Sequence, residues 1–190
     1  MATSLIHTFN WVDILILIVL IRVLFIASRK GLLDETFKLL GVFVGAILSI
    51  HFFVRLGNWI LVYLYVLEYK ARGIALAGIF LTTLFIFRYL RIGVLSFFGF
   101  NEKEDSVGLI KGFFILIFRA VRGVLLISFL LFFFGQGGFY YLQASKNNSM
   151  LSNYISGVTP KVYELSYRYV IARFFPFEPM GLDLITEEVQ

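Results

Sequence analysis

Residues 12–27 read VDILILIVLIRVLFIA, sixteen positions in which charge appears only at Asp13 and Arg22. At about 1.5 Å of rise per helical residue, such a run approaches the roughly 30 Å hydrocarbon thickness of a bilayer. Three more apolar runs follow, Phe37 to Phe53, Ile74 to Phe87 with an extension to Phe100, and Gly123 to Leu142. The 190-residue chain is 59% hydrophobic and 18% aromatic, with a mean hydropathy of +0.87. That is more apolar surface than one soluble core of this size can bury, so lipid must be the main solvent. Short strands of alternating polarity are absent. The expected class is therefore an all-α integral membrane protein of about four transmembrane helices.

The first run does not read as a secretory signal. No Lys or Arg precedes it, and no small-x-small cleavage site comes before Arg29 and Lys30, so an uncleaved span is expected. The absence of cysteine excludes disulfides and thiol catalysis. The net charge of +5 is distributed as the positive-inside rule prefers, and nucleic acid is not an expected partner. Arg29, Lys30 and Lys38 fall between runs one and two, and Arg88, Arg91, Lys103, Lys111, Arg119 and Arg122 between runs three and four. The opposite face receives Arg55, Lys70, Arg72 and Lys146. This bias puts the first and third loops in the cytoplasm and both termini outside. Residues 1–142 then form a four-span domain, and residues 143–190 a short extracytoplasmic tail.

The connections carry their own patterns. Arg55 to Arg72 contains Trp59, Tyr63, Tyr65 and Tyr69 beside Glu68 and Lys70, which predicts an interfacial helix between spans two and three. Ile92 to Phe100 and Val107 to Phe118 flank the charged turn Asn101 to Asp105 and read as interfacial or re-entrant segments. In the tail, Thr159 is the expected N-cap and Pro160 the first helical residue. Val162, Leu165, Tyr169 and Phe174 would then mark the apolar face of a surface helix that stops before Pro176. Asn147, Asn148 and Ser149 match a glycosylation triplet by letter only.

Ionisable residues at membrane depth are the candidates for function. Arg22 either snorkels to the cytoplasmic interface, or meets a partner such as Asp34 or Glu35 or a functional polar pocket. Arg88 and Arg91, like Arg119 and Arg122, lie three apart on one helical face. A central arginine facing lipid costs about 2.5–3.5 kcal/mol, so these pairs mark either the bilayer edge or a cationic cluster lining an internal cavity. Asp13 complements the positive end of the first helix. His51 serves packing or a proton relay. Gly41 with Gly45, and Gly108 with Gly112, have the GxxxG spacing of close helix packing, within one chain or between copies. No phosphate loop, dinucleotide fingerprint, HExxH or nucleophile elbow occurs, so no catalytic residue, metal ligand or cofactor is expected, and the chain does not read as an enzyme.

Trp11-Val-Asp13 opening a span, Lys30-Gly31-Leu-Leu-Asp34-Glu35 at its other end and Leu39-Leu40-Gly41 entering the next resemble the colicin V production protein family. Ser49-Ile-His51-Phe52-Phe53 is similar to the close of that family's second span, and Asp105, Gly108, Gly112, Arg122 and Gly123 echo its later signature. Asp34 stands where the family has a basic residue, and the interval from Asp105 to Arg122 is longer than usual unless Arg119-Ala120 is the counterpart. The resemblance implies a small bacterial inner-membrane protein linked to toxin production or export and to envelope homeostasis. Its expected role is a scaffold or accessory factor whose partners are the bilayer and either a second copy or another envelope protein. The alternative is an oligomeric pore or transporter subunit with Arg22, Arg88, Arg91, Arg119 and Arg122 lining a cytoplasmic vestibule.

Overall fold

The computed structural model describes residues 10–25, 32–97, 109–136, 145–146, 148–174 and 180. Among these there is no strand. The helices are α1 (Trp11–Phe25), α2 (Leu32–Leu64), α3 (Glu68–Phe97), α4 (Leu109–Gln136), α5 (Met150–Ile155) and α6 (Val158–Ser166). A π-helical stretch, Tyr167–Ile171, and a last turn, Ala172–Phe174, continue α6. Among the described residues, three segments are long and apolar enough to cross a membrane: Leu32–Leu64, Glu68–Phe97 and, within α4, Lys111–Gln136. Helix α1 is described over 15 residues, and residues 26–31, where the first apolar run would end, lie outside the described residues.

Helices α2 and α3 form the central antiparallel pair, and glycine sets their distance. A Cβ at Gly41 would lie 3.1 Å from Phe87 Cβ, and one at Gly45 would lie 3.1 Å from the Phe80 ring. The Gly41/Gly45 spacing therefore works as a seam within one chain. Lipid tails are as apolar as leucine, so the gain along this seam is van der Waals contact rather than release from water. Helix α4 closes on the pair through Leu125 and Phe129, the latter stacked on Phe80 at 4.1 Å. Helix α1 packs on α4 through Val12, Ile16, Ile127 and Leu131, with Gly123 admitting Leu20 and Val23. Gly112 is half-buried, and Gly108 lies outside the described residues.

The expected interfacial helix over Arg55 to Arg72 is not a separate element. Helix α2 runs unbroken to Leu64 and α3 begins at Glu68, joined by three residues in which Tyr65 takes a left-handed φ of 50°. The reason is packing: Gly57, Ile60 and Ala71 are buried, and at Gly57 a Cβ would lie 3.1 Å from Arg72 Cγ. Trp59, Tyr63 and Tyr65 remain exposed on this end of the hairpin. Likewise, the described parts of the two expected cytoplasmic segments are extensions of α3, to Phe97, and of α4, from Leu109. The turn Asn101 to Asp105 lies outside the described residues.

The tail also departs from expectation. Ser149 caps α5 by accepting from Ser152 N–H at 3.1 Å, Gly157 precedes α6, and Thr159 sits inside its first turn instead of capping it. The buried face of α6 carries Thr159 and Tyr163, whereas Leu165 and Tyr169 are exposed. Four positions along a helix return to the same side, so the true stripe is 159/163, flanked by Val158 and Val162 packed against the main core. The tail helices α5 and α6 thus lie on α1, α2 and α4.

Candidate functional site

Asp34 and Glu35 open α2, where carboxylates are favoured by the positive end of the helix dipole. Both are buried, at 1% and 0% exposure. Neighbouring helical residues point about 100° apart, so the two carboxylates serve different helices. Asp34 accepts from Arg91 of α3, while Glu35 accepts from Arg122 of α4 at 2.7 Å and faces Arg119 Nε at 3.5 Å. Lys38, one turn on, joins them with its Nζ 2.5 Å from Asp34 and 3.1 Å from Glu35. The result is a six-residue ion-pair network that ties the start of α2 to the last third of α3 and the middle of α4. Buried charges are tolerated in an apolar medium only when so paired.

The network draws in three of the five arginines expected to cluster. Arg88, one turn from Arg91, is exposed and lines a cavity of about 380 Å³ with Lys38, Arg91 and Arg122. Arg22 is exposed on α1 and makes no ion pair among the described residues. The carboxylates once available to it are held by α3 and α4. The role of Lys38 was readable in its spacing, i+4 from Asp34 and i+3 from Glu35. The choice of Arg91 over Arg22 was not, because it depends on which helices adjoin.

A second polar site lies toward the other end. Asp13 is fully buried and accepts from Asn10 N–H at 2.8 Å, Ser149 Oγ–H at 2.6 Å and Leu151 N–H at 2.9 Å. It therefore completes the cap of its own helix and also fixes the start of α5. Below it, Ser128 Oγ accepts from Thr159 N–H at 2.8 Å and donates to Ser156 C=O at 3.2 Å. Thr159 Oγ1 donates to Leu125 C=O at 3.2 Å. His51 Nδ1 and Tyr163 Oη lie 3.0 Å apart, both residues buried. Glu35 and Arg55 are 20 helical positions apart, about 30 Å, so the part of α2 between them matches one bilayer thickness. Ser128, Ser149, Thr159 and Tyr163 were missed as partners. A lone serine inside the apolar run 123–134 was the one available signal for Ser128.

Of the family-motif positions, Asp13, Glu35, Arg122 and Gly123 make the contacts given above, while Lys30, Gly31 and Asp105 lie outside the described residues. Fold and site together define a multi-pass helical membrane protein whose buried carboxylates recruit arginines from neighbouring helices. The sequence model described as colicin V production protein matches residues 12–160, and the chain belongs to that family. The match takes in Asp34, Glu35 and all their partners, and it reaches into α6 as far as Pro160. No curated protein and no solved structure matches the chain.

Proposed function

We propose that the protein is a non-enzymatic, four-span protein of a bacterial inner membrane, α1 being the fourth span, and that it acts as a scaffold or accessory factor in toxin production, export or envelope homeostasis. The Lys and Arg bias puts the Glu35 end in the cytoplasm and both termini outside. One observation carries the scaffold reading. The Asp34/Glu35 network and the Asp13 site are separated by a layer of Val42, Ala46, Phe80, Leu125 and Phe129 that is closely packed and apolar. A solute path needs polar groups in sequence across the membrane, and the polar side chains buried beside this layer, Ser49 and Thr83, instead donate to carbonyls of their own helices, at Gly45 and Ile79.

A second reading, an oligomeric pore with an arginine vestibule, is favoured by the cavity at Lys38, Arg88, Arg91 and Arg122. Reconstitution separates the two. For a scaffold, anion flux through liposomes stays at the protein-free level for both the natural chain and Arg88→Glu, and partner recovery in cross-linked membranes falls in the variant. Flux well above background that collapses in Arg88→Glu overturns the scaffold in favour of the pore.

A further inference from the structure

The cavity at the Glu35 end has two chemically different halves. Its cationic half is Lys38, Arg88, Arg91 and Arg122, and its apolar half includes Val42, Leu84 and Phe87. Val42 is one turn beyond Lys38 on α2, and Leu84 is one turn before Arg88 on α3. The helices are antiparallel, so both steps lead in the same direction, about 6 Å further into the bilayer. The cavity is thus a slot with a charged mouth and an apolar floor, with Gly41 and Phe37 also in its lining.

The mouth is not neutral. Among the described residues, Lys38, Arg88, Arg91, Arg119 and Arg122 stand against the carboxylates of Asp34 and Glu35, an excess of three positive charges. Arg88 makes no ion pair among those residues, and Arg91 Nε is buried without an acceptor. Donors in excess at a membrane-facing mouth call for an anion. A free anion would use the mouth alone, whereas an occupant with both a phosphate and a chain would use both halves.

We propose that this slot holds an anionic phospholipid, its phosphate on Arg88 with Lys38 and Arg91, and the first carbons of one acyl chain along Val42, Leu84 and Phe87. The inference needs only the membrane class and this cavity, so a failure of the scaffold reading in the flux assay leaves it standing. Native mass spectrometry of the detergent-solubilised protein, titrated with phosphatidylglycerol or phosphatidylcholine of equal chain length, tests it. The expected result is retention of phosphatidylglycerol at least about fivefold stronger, the weight of roughly one surface cation. That preference disappears in Arg88→Gln, is largely kept in Arg88→Lys, and is unchanged in Arg22→Gln, whose exposed arginine is outside the slot. Equal retention of the two lipids, or an equal loss in Arg22→Gln, overturns the proposal. So does inorganic phosphate alone raising the melting temperature as much as phosphatidylglycerol, which would assign the mouth to a free anion.

Discussion

Glu35 has no exposed surface, yet three cations surround its two oxygens: Arg122 at 2.7 Å, Lys38 at 3.1 Å and Arg119 at 3.5 Å. Removing the carboxylate leaves buried positive charge without compensation, a change that typically costs about 3–5 kcal/mol. Glu35→Gln is expected to lose that much in thermal unfolding in detergent. The loss should shrink when Arg122 is also replaced by Gln, and a double-mutant cycle with no coupling would show that the pair is not a unit. Tyr65 is the opposite case, an exposed side chain held at φ 50°. The left-handed region costs a residue with a Cβ roughly 1–2 kcal/mol. Tyr65→Gly should therefore raise the melting temperature, and a fall would mean that the ring makes contacts worth more than the strain. Lys146, in the tail, has its pKa lowered from the ordinary lysine value by burial. The folded state then resists protonation more than the unfolded chain, so stability rises with pH between the lowered value and 10.5, above which both states are neutral. Lys146→Met should flatten that rise in a pH series of melting curves.

At the scale of elements, the α2–α3 seam depends on positions where a side chain has no room. Gly45→Leu drives four carbons into a site where even a Cβ would lie 3.1 Å from Phe80. Overpacking of this kind costs about 1–3 kcal/mol. Gly78→Ala, on the same pair of helices but with nothing within 4 Å, is the control and should stabilise by about 0.5–1 kcal/mol through helix propensity. Equal effects of the two changes in detergent melting would remove the seam from the account. The tail has a comparable anchor, since Tyr163→Phe leaves His51 Nδ1 buried without its 3.0 Å partner. Such a loss is worth about 1–3 kcal/mol. It should appear as faster proteolysis of the segment after Ser156, with the long helices intact.

For the whole molecule, the open question with the sharpest test is sidedness. The chain has no cysteine, so single replacements report their own position without background. Tyr65→Cys, exposed in the turn between α2 and α3, should react with a membrane-impermeant maleimide in intact spheroplasts. Ser96→Cys, exposed near the end of α3, should react only after permeabilisation. The reverse pattern would invert the orientation argued from Lys and Arg.

Much of this architecture was legible from composition alone, because a run such as Phe37 to Phe53 has no stable place outside lipid. The Gly41/Gly45 spacing, the Asp13 cap and the family followed from local pattern. Where the pattern misled, the competing effect was always a neighbour. Trp59, Tyr63 and Tyr65 carry an interfacial signature, yet Gly57 and Ala71 draw their backbone into a continuous hairpin. Thr159 looks like a cap, yet Ser128 and Leu125 take its polar groups. The arginine pairs read as bilayer edges or as the lining of a cavity, and Asp34 and Glu35 draw Arg91, Arg119 and Arg122 into ion pairs. Local sequence determined that this chain is helical and membrane-bound, since hydropathy and helical period are properties of a few consecutive residues. The tertiary structure decided which arginine neutralises which carboxylate and which face of the tail is buried, because those depend on distances between residues as far apart as Glu35 and Arg122.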